Sequence, residues 1–108
     1  MITPHSSLRM LQDYVAQAEV ERGFDQQNDL EKCLLLGEEV GELFRAVRRS
    51  SGLAVDARSE VKEVASELAD ILNYVLAIAN RHQIDLGQAF IAKELINRER
   101  KWAPLHDT

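Results

Sequence analysis

Apolar residues recur at helical spacing in four segments of the chain, and polar links separate these segments. In the first segment an apolar residue stands at nearly every third or fourth position, as in LRMLQDYVAQAEVER. This period is that of one face of an α-helix, whereas a half-buried strand would alternate at every second residue. Ser6 or Ser7 can cap the N-terminus of this helix, and Gly23 suits its C-terminal end. The pattern therefore predicts a helix here and gives no convincing strand elsewhere.

Capping and breaking residues mark the ends of three further predicted helices. The second begins at a cap on Asn28 or Asp29 and ends near Arg49, the third runs from Ser59 or Glu60 to about His82, and the fourth runs from a cap on Asp85 through Trp102 to a stop at Pro104. The links between the helices are short, which favours antiparallel neighbours. We predict an all-α, four-helix bundle-like fold.

The predicted buried faces follow from the same spacing. On the second helix they comprise Leu35, Leu36, Val40, Leu43, Phe44 and Val47, and on the third Val64, Leu68, Ile71, Leu72, Val75, Leu76 and Ala79. Arg45, Arg48 and Arg49 fall on the opposite, solvent-facing side of the second helix. Gly37 and Gly41 lie about one turn apart, where missing side chains would let a neighbouring helix or a ligand come close; plain packing is the alternative.

Length and composition indicate one soluble domain over residues 1–108. A core of this size is small, so association with further copies would add to its stability. The formal net charge of -5 disfavours binding to a nucleic acid polymer or to an anionic membrane. The single cysteine, Cys33, excludes an internal disulfide and a paired-cysteine zinc site, and it is expected to be at least half-buried on its helix. No apolar run approaches the roughly 20 residues of a membrane span, so we expect a cytoplasmic protein.

Acidic side chains interrupt the apolar faces of two helices. On the second helix Glu39 falls within the apolar arc and Glu42 at its edge, whereas Glu38 lies further toward solvent. On the third helix Glu67 borders the apolar face and Asp70 lies a little further round it. If the two helices pack together, these carboxylates meet, and they cannot all stay ionised without a counter-charge. A divalent cation would supply that charge.

The donor type narrows the choice of cation. Carboxylate oxygens without histidine or cysteine favour magnesium, manganese or calcium over zinc or copper. A di-iron carboxylate bundle needs a Glu-x-x-His motif, which this chain lacks. Spacing alone leaves two interpretations open, a metal site and a set of solvated surface carboxylates.

The paired motif GEEVGEL and SELADILNYVLAIA, followed by KELINRER, resembles the MazG-type all-α nucleotide pyrophosphohydrolases over about residues 30–102. The resemblance implies hydrolysis of a nucleoside or deoxynucleoside triphosphate between its α- and β-phosphates, giving the monophosphate and pyrophosphate. It also implies a Mg²⁺ cofactor, with Mn²⁺ as an alternative, a metal-bound water that attacks the phosphate, and a homo-oligomer, either a dimer or a tetramer.

Residue roles follow from the same resemblance. It assigns metal binding to Glu39, Glu42, Glu67 and Asp70, a catalytic role to Glu38 and Glu39, and substrate contacts to Lys93 and Asn97. Tyr74 follows Asp70 by one turn and is expected to line the pocket. Arg100 shares one predicted helix face with Lys93 and Asn97, where the three would either meet phosphates or form a solvated helix end.

Two questions stay open at the level of sequence. The base could stack on Tyr14, Phe24, Phe44 or Trp102, although each is also a natural core residue. The chain could also be a non-catalytic helical interaction module or a nucleotide sensor that does not hydrolyse its ligand.

Overall fold

A computed structural model of the chain describes residues 1–52 and 61–103, with the side chains of residues 61 and 62 left out. The helices are α1 (Leu8–Arg22), α2 (Asp29–Ser50), α3 (Val61–Arg81) and α4 (Leu86–Glu99). No strand occurs in these two ranges, so the predicted all-α class with four helices is confirmed. The predicted start of the third helix at Ser59 or Glu60, and the stop at Pro104, lie outside the described residues.

Local capping chemistry sets most helix ends where the sequence places them. Ser7 Oγ accepts a hydrogen bond from the backbone of Met10 at 3.1 Å, and α1 ends on Gly23 in the left-handed region at φ 77°. A capping box begins α2, because Asn28 and Glu31 each bind the backbone N–H of the other. Asp85 caps α4 through the backbone N–H of Gln88 at 2.9 Å.

The C-terminal end of α4 differs from the prediction. The helix ends at Glu99, and Arg100 adopts an extended backbone at φ -80° and ψ 147°. The indole of Trp102 turns back to donate to the carbonyl of Asn97 at 3.0 Å, and the Arg100 guanidinium lies 4.4 Å above the Trp102 ring. These contacts satisfy a terminal carbonyl without another helical turn. The predicted helix face of Lys93, Asn97 and Arg100 is therefore wrong at Arg100.

Packing is organised around α3, which contacts both α2 and α1, while α4 packs on α1. Val15, Leu76 and Ala77 form the buried apolar cluster between α1 and α3. Buried Gln12 then ties this pair to the start of α4, because its amide donates to the Ile84 carbonyl at 2.8 Å and accepts from the Leu86 N–H at 2.9 Å. The polar Gln12 thus takes a core position and satisfies the backbone of the α3–α4 link.

Several predicted core positions are exposed. Phe44 is 69% exposed and Leu68 51% exposed, whereas Ala46 on α2 is buried. Cys33 is exposed as well, against expectation. The periodicity gives the right helices but a wider apolar surface than one chain covers, so these predictions of burial are wrong for the chain on its own.

The polar side of α2 also differs in part from the prediction. Arg49 is largely covered, and its Nη1 lies 3.5 Å from Glu63 Oε2 on α3, so it is not a solvated residue. A methyl group at Gly37 or Gly41 would meet no other atom within 4 Å. Within the described chain these glycines therefore do not serve a close helix contact, and their use by a ligand stays a prediction. Among the described residues, no helix is both long enough and apolar enough to cross a membrane.

Candidate metal and nucleotide site

Three carboxylates converge where α2 faces α3. Glu39 comes from α2, and Glu67 and Asp70 come from successive turns of α3. One oxygen from each side chain can be chosen such that all three lie within 4.8 Å of one another. The positions follow from the sequence, because all three border the apolar faces along which the two helices pack.

The electrostatics of Glu39 are dominated by other carboxylates, and no ion pair joins the acidic cluster to a cation among the described residues. A hydrogen bond with Glu67, burial, and the nearby charges of Asp70, Glu67 and Glu42 raise the pKa of Glu39 to about 6. Glu67 Oε2 is buried and has no hydrogen-bond partner in the described part of the chain. An unpaired buried carboxylate oxygen is unfavourable unless something binds it.

A hard divalent cation fits this donor set. Magnesium binds carboxylate oxygens at about 2.1 Å in octahedral geometry, and waters and substrate phosphates commonly complete its shell. The three oxygens are already close enough for small side-chain rotations to bring them onto one ion. Such an ion would also neutralise the repulsion that raises the pKa of Glu39.

The acidic cluster opens onto a broad cavity of about 640 Å³. Glu38, Glu39, Gly41, Glu42, Glu67 and Asp70 line it. Glu42 thus lies on the same wall as Glu39, although it is outside the tight group of three. Glu38 is exposed at the rim. The cavity therefore gathers all five acidic residues that the sequence singles out.

A smaller cavity of about 180 Å³ adjoins the acidic cluster and shares Glu39 and Asp70 with it. Tyr74 lines this cavity, and burial together with the charges of Glu39, Asp70 and Glu38 raises the pKa of its phenol. Tyr74 is thus placed beside the carboxylates, as predicted from its spacing after Asp70. Phe24, from the α1–α2 link, lies on the same wall.

A buried ion-pair cluster forms the other side of this cavity, and the sequence reasoning missed it. Glu19 of α1 pairs with Lys32 of α2 at 2.7 Å and accepts two hydrogen bonds from Arg81 of α3, at 2.8 and 3.1 Å. Burial alone would raise the pKa of Glu19, but the hydrogen bonds from Arg81 and Lys32 outweigh it, so the pKa lies below its ordinary value. A signal was present, because Glu19 and Lys32 occupy apolar register positions on their helices.

The lysine of this cluster also meets both aromatic rings of the cavity. Lys32 is buried, and its ammonium lies 5.3 Å from the ring centres of Phe24 and of Tyr74. A cation over the face of an aromatic ring is attracted to that ring, so one ammonium between two rings stabilises the position of both. Lys32 therefore holds together an aromatic wall built from two elements that are distant in sequence. Of the other base-stacking candidates, neither Tyr14 nor Phe44 lines this cavity.

The predicted substrate contacts on α4 lie apart from the acidic cluster within one chain. Lys93 is exposed, and the amide of Asn97 donates to Glu94 at 3.1 Å. The two cavities described above have no α4 residue in their walls. Arg100 is engaged with Trp102 beyond the helix end. The roles of these three residues remain predictions.

Comparison with known proteins identifies the family. Residues 26–102 match the MazG nucleotide pyrophosphohydrolase domain. The chain belongs to the MazG nucleotide pyrophosphohydrolase family. It is 32% identical over 109 aligned positions to dCTP pyrophosphatase 1 of Mus musculus, and 33% identical over the same length to dCTP pyrophosphatase 1 of Rattus norvegicus. Each alignment covers 96% of this chain but only 63% of the relative. The resemblance stated from the motifs is thereby confirmed.

Proposed function

We propose that this MazG-family chain hydrolyses a nucleoside or deoxynucleoside triphosphate to the monophosphate and pyrophosphate with the help of a divalent cation, Mg²⁺ or Mn²⁺. The observation that carries the proposal is the acidic cluster of Glu39, Glu67 and Asp70, whose oxygens converge without an ion pair to any described cation. A triphosphate brings its own negative charge, so an acidic site can bind it only through cations.

Each carboxylate has a distinct part in this proposal. Glu39, Glu67 and Asp70 hold the metal, and Glu42, on the same cavity wall, completes the ligand set. Glu38 at the rim orients the attacking water or supports the ligands. The bound cation supplies charge neutralisation on the phosphates and lowers the pKa of water in its shell. The protein contributes position, which is most of what phosphoryl transfer requires.

The smaller cavity is the natural place for the nucleoside. It adjoins the metal ligands through Glu39 and Asp70, and Phe24 and Tyr74 provide ring faces for a base or sugar. Because the two relatives are named dCTP pyrophosphatase 1, dCTP is the first substrate to test. The choice among bases and sugars is part of the proposal.

Hydrolysis is tested by incubating the folded protein with MgCl₂ and a panel of ribo- and deoxyribonucleoside triphosphates, with products resolved by ³¹P NMR. The expected products are the monophosphate and pyrophosphate. Formation of a diphosphate and phosphate would contradict the proposed bond cleavage. Binding of nucleotide without product would favour the sensor, and no binding would favour the non-catalytic interaction module.

We also infer that α2 and α3 are antiparallel and that the working form is a homo-oligomer, a dimer or a tetramer. Glu39 on α2 lies beside Asp70, whereas Arg49 further along α2 reaches back to Glu63 on α3. The Cα radius of gyration is 17.1 Å, whereas a compact chain of this length would have about 13 Å. On α4, Phe90, Ile91, Leu95 and Ile96 are 57–60% exposed. A helix this apolar is normally covered on several sides.

Association is tested by light scattering after size-exclusion chromatography. The variant Ile91→Glu combined with Leu95→Glu is expected to shift the mass toward the monomer, because it places charge in the apolar surface. Gln26→Glu, at an exposed position of the α1–α2 link and away from α4, is the control and should keep the wild-type mass. A monomeric wild type at micromolar concentration would contradict the inference.

A further inference from the structure

The wall of the smaller cavity includes a residue whose side-chain oxygen no described residue satisfies. Gln27 lines this cavity, and its side-chain Oε1 is buried with no hydrogen-bond partner among the described residues. Three charged residues of the same wall have partners of their own: Glu19 and Lys32 bind each other, and Glu39 belongs to the acidic cluster. Buried carbonyl oxygens are almost always hydrogen-bonded, so an exception at a cavity wall indicates a missing donor.

The backbone that carries Gln27 is held rigidly. Arg81 donates through Nε to the Gln27 carbonyl at 2.9 Å and through Nη2 to the Phe24 carbonyl at 3.0 Å. The same guanidinium is fixed by two hydrogen bonds to Glu19. One arginine of α3 therefore fixes both ends of the stretch between Phe24 and Gln27. A side chain on a fixed backbone has fewer positions to lose on binding a ligand than one on a mobile loop.

The chemistry of the base edges then decides what this oxygen selects. Cytosine and adenine carry an exocyclic amino group, which donates hydrogen bonds, whereas uracil and thymine carry a carbonyl acceptor at the corresponding position. A donor would satisfy Gln27 Oε1, and a second carbonyl facing it would leave both acceptors unpaired. Sites built around a buried hydrogen bond reject ligands that cannot make it far more strongly than apolar pockets do.

We propose that Gln27 selects the base of the nucleotide by accepting a hydrogen bond from an exocyclic amino group in the cavity walled by Phe24 and Tyr74. Arg81 holds the backbone of the segment that carries Gln27. The proposal rests on the proposed function, because it places the triphosphate at the acidic cluster next to this cavity. It goes further in two respects. It assigns the choice of base to the side-chain amide of Gln27, and it assigns the substrate to nucleotides whose base carries an exocyclic amino group, with cytosine as the first to test.

The test compares dCTP and dUTP, which share the sugar and the triphosphate and differ in the base. Cytosine has an amino group at C4 and an acceptor at N3, whereas uracil has a carbonyl at C4 and an N–H group at N3. The ratio of kcat/KM for dCTP to that for dUTP is measured for the wild type, for Gln27→Leu, and for the matched control Gln26→Leu. Gln26 is the exposed neighbour and is not part of the cavity wall. The wild type is expected to prefer dCTP, Gln27→Leu to lower that preference about tenfold or more, and Gln26→Leu to keep it.

Thermal melting of each variant and a Mn²⁺ titration check that the fold and the acidic cluster are intact. A Gln27→Leu variant that keeps the wild-type ratio would overturn the inference, and so would a wild type that prefers dUTP. Both outcomes leave the proposed function standing, since the wild type still releases pyrophosphate.

If the wild type hydrolyses no nucleotide, the proposed function fails, and the same ratio is taken from calorimetric binding of the α,β-imido analogues of dCTP and dUTP. Weaker discrimination by Gln27→Leu would still support the assignment of Gln27. The assignment of Gln27 would be overturned if Gln27→Leu discriminated between the two analogues as well as the wild type does, or if the wild type bound neither analogue.

Discussion

Two clusters of ionisable side chains meet at the same small cavity, and they are balanced in opposite ways. In the first, Glu19 is surrounded by two cations of its own chain, Lys32 and Arg81, and its pKa is lowered. In the second, Glu39 lies beside the carboxylates of Glu67, Asp70 and Glu42, and its pKa is raised to about 6. Both clusters lie at contacts between helices. They differ in the charge of the side chains that surround each glutamate.

This difference in partners is the one expected if the first cluster stabilises the fold and the second binds a ligand. A buried charge that serves the fold is satisfied within the chain, because an unpaired one is very unfavourable. In the part of the chain that the structure describes, no ion pair joins the carboxylates of the acidic cluster to a cation, and one oxygen of Glu67 is buried without a donor. The chain therefore keeps an unfavourable arrangement at the place where a cation is expected to bind.

The largest effect is expected from removing a metal ligand. Asp70→Asn or Glu39→Gln should lower kcat/KM by about a thousandfold or more, because the cation supplies several kcal/mol of stabilisation to the transition state. Circular dichroism should show unchanged helix content. Glu21→Gln, an exposed glutamate on α1, is the matched control and should keep wild-type turnover. Full activity in both ligand variants would remove their assignment as ligands.

The same substitution should have opposite effects on stability in the two clusters. Glu19→Gln leaves two cations without their anion, so the free energy of unfolding should fall by about 3–5 kcal/mol. Glu67→Gln in metal-free protein removes a like charge, so the free energy of unfolding should stay the same or rise. Urea denaturation with excess chelator measures both. Equal losses in the two variants would show that the clusters do not differ as described.

The pH dependence of stability should also have opposite signs. Glu39 binds a proton more tightly in the folded chain, so its contribution is present below about pH 4.5 and is lost as the pH rises to about 6. The pKa of Glu19 is lowered, so its contribution is present above about pH 4.5 and is lost as the pH falls below it. Denaturation of metal-free wild type, Glu39→Gln and Glu19→Gln across this range should isolate each slope. If the free energy of unfolding of the wild type depended on pH in the same way as that of both variants, the two pKa shifts would be contradicted.

The smallest effect is expected outside both clusters, on α4. If Lys93 contacts the phosphates in the assembled protein, Lys93→Gln should raise KM about tenfold with little change in kcat, because a charge-assisted hydrogen bond is lost. Arg98→Gln on the same helix is the control and should keep the wild-type KM. Steady-state kinetics with the preferred nucleotide provides the measurement. An unchanged KM in Lys93→Gln would remove Lys93 from the site.

Local features of the fold were predictable because their causes are local. Ser7, Gly23, Asn28 and Asp85 mark helix ends through hydrogen bonds or backbone conformations that involve only a few neighbouring residues. The end of α4 was not predictable in this way, because Trp102 returns to Asn97 from beyond the helix. Burial was predicted less well, since the exposure of residues such as Phe44 and Leu68 depends on which surfaces meet.

The site divides along the same line. Glu39, Glu67 and Asp70 could be predicted, because acidic residues on two apolar faces have to meet when those faces pack. The cluster of Glu19, Lys32 and Arg81 joins three helices, and its pairing depends on tertiary structure. Polar residues in an apolar register were the available signal, but the sequence does not say which of them become partners.

The central claim is that the acidic cluster binds a divalent cation, and a calorimetric titration of Mn²⁺ tests it most directly. Wild type, Asp70→Asn and the control Glu21→Gln are titrated with and without the α,β-imido analogue of dCTP. The account predicts binding to the wild type and to Glu21→Gln, and loss of binding in Asp70→Asn. No binding to the wild type even with the nucleotide analogue, or equal binding to Asp70→Asn, would contradict it.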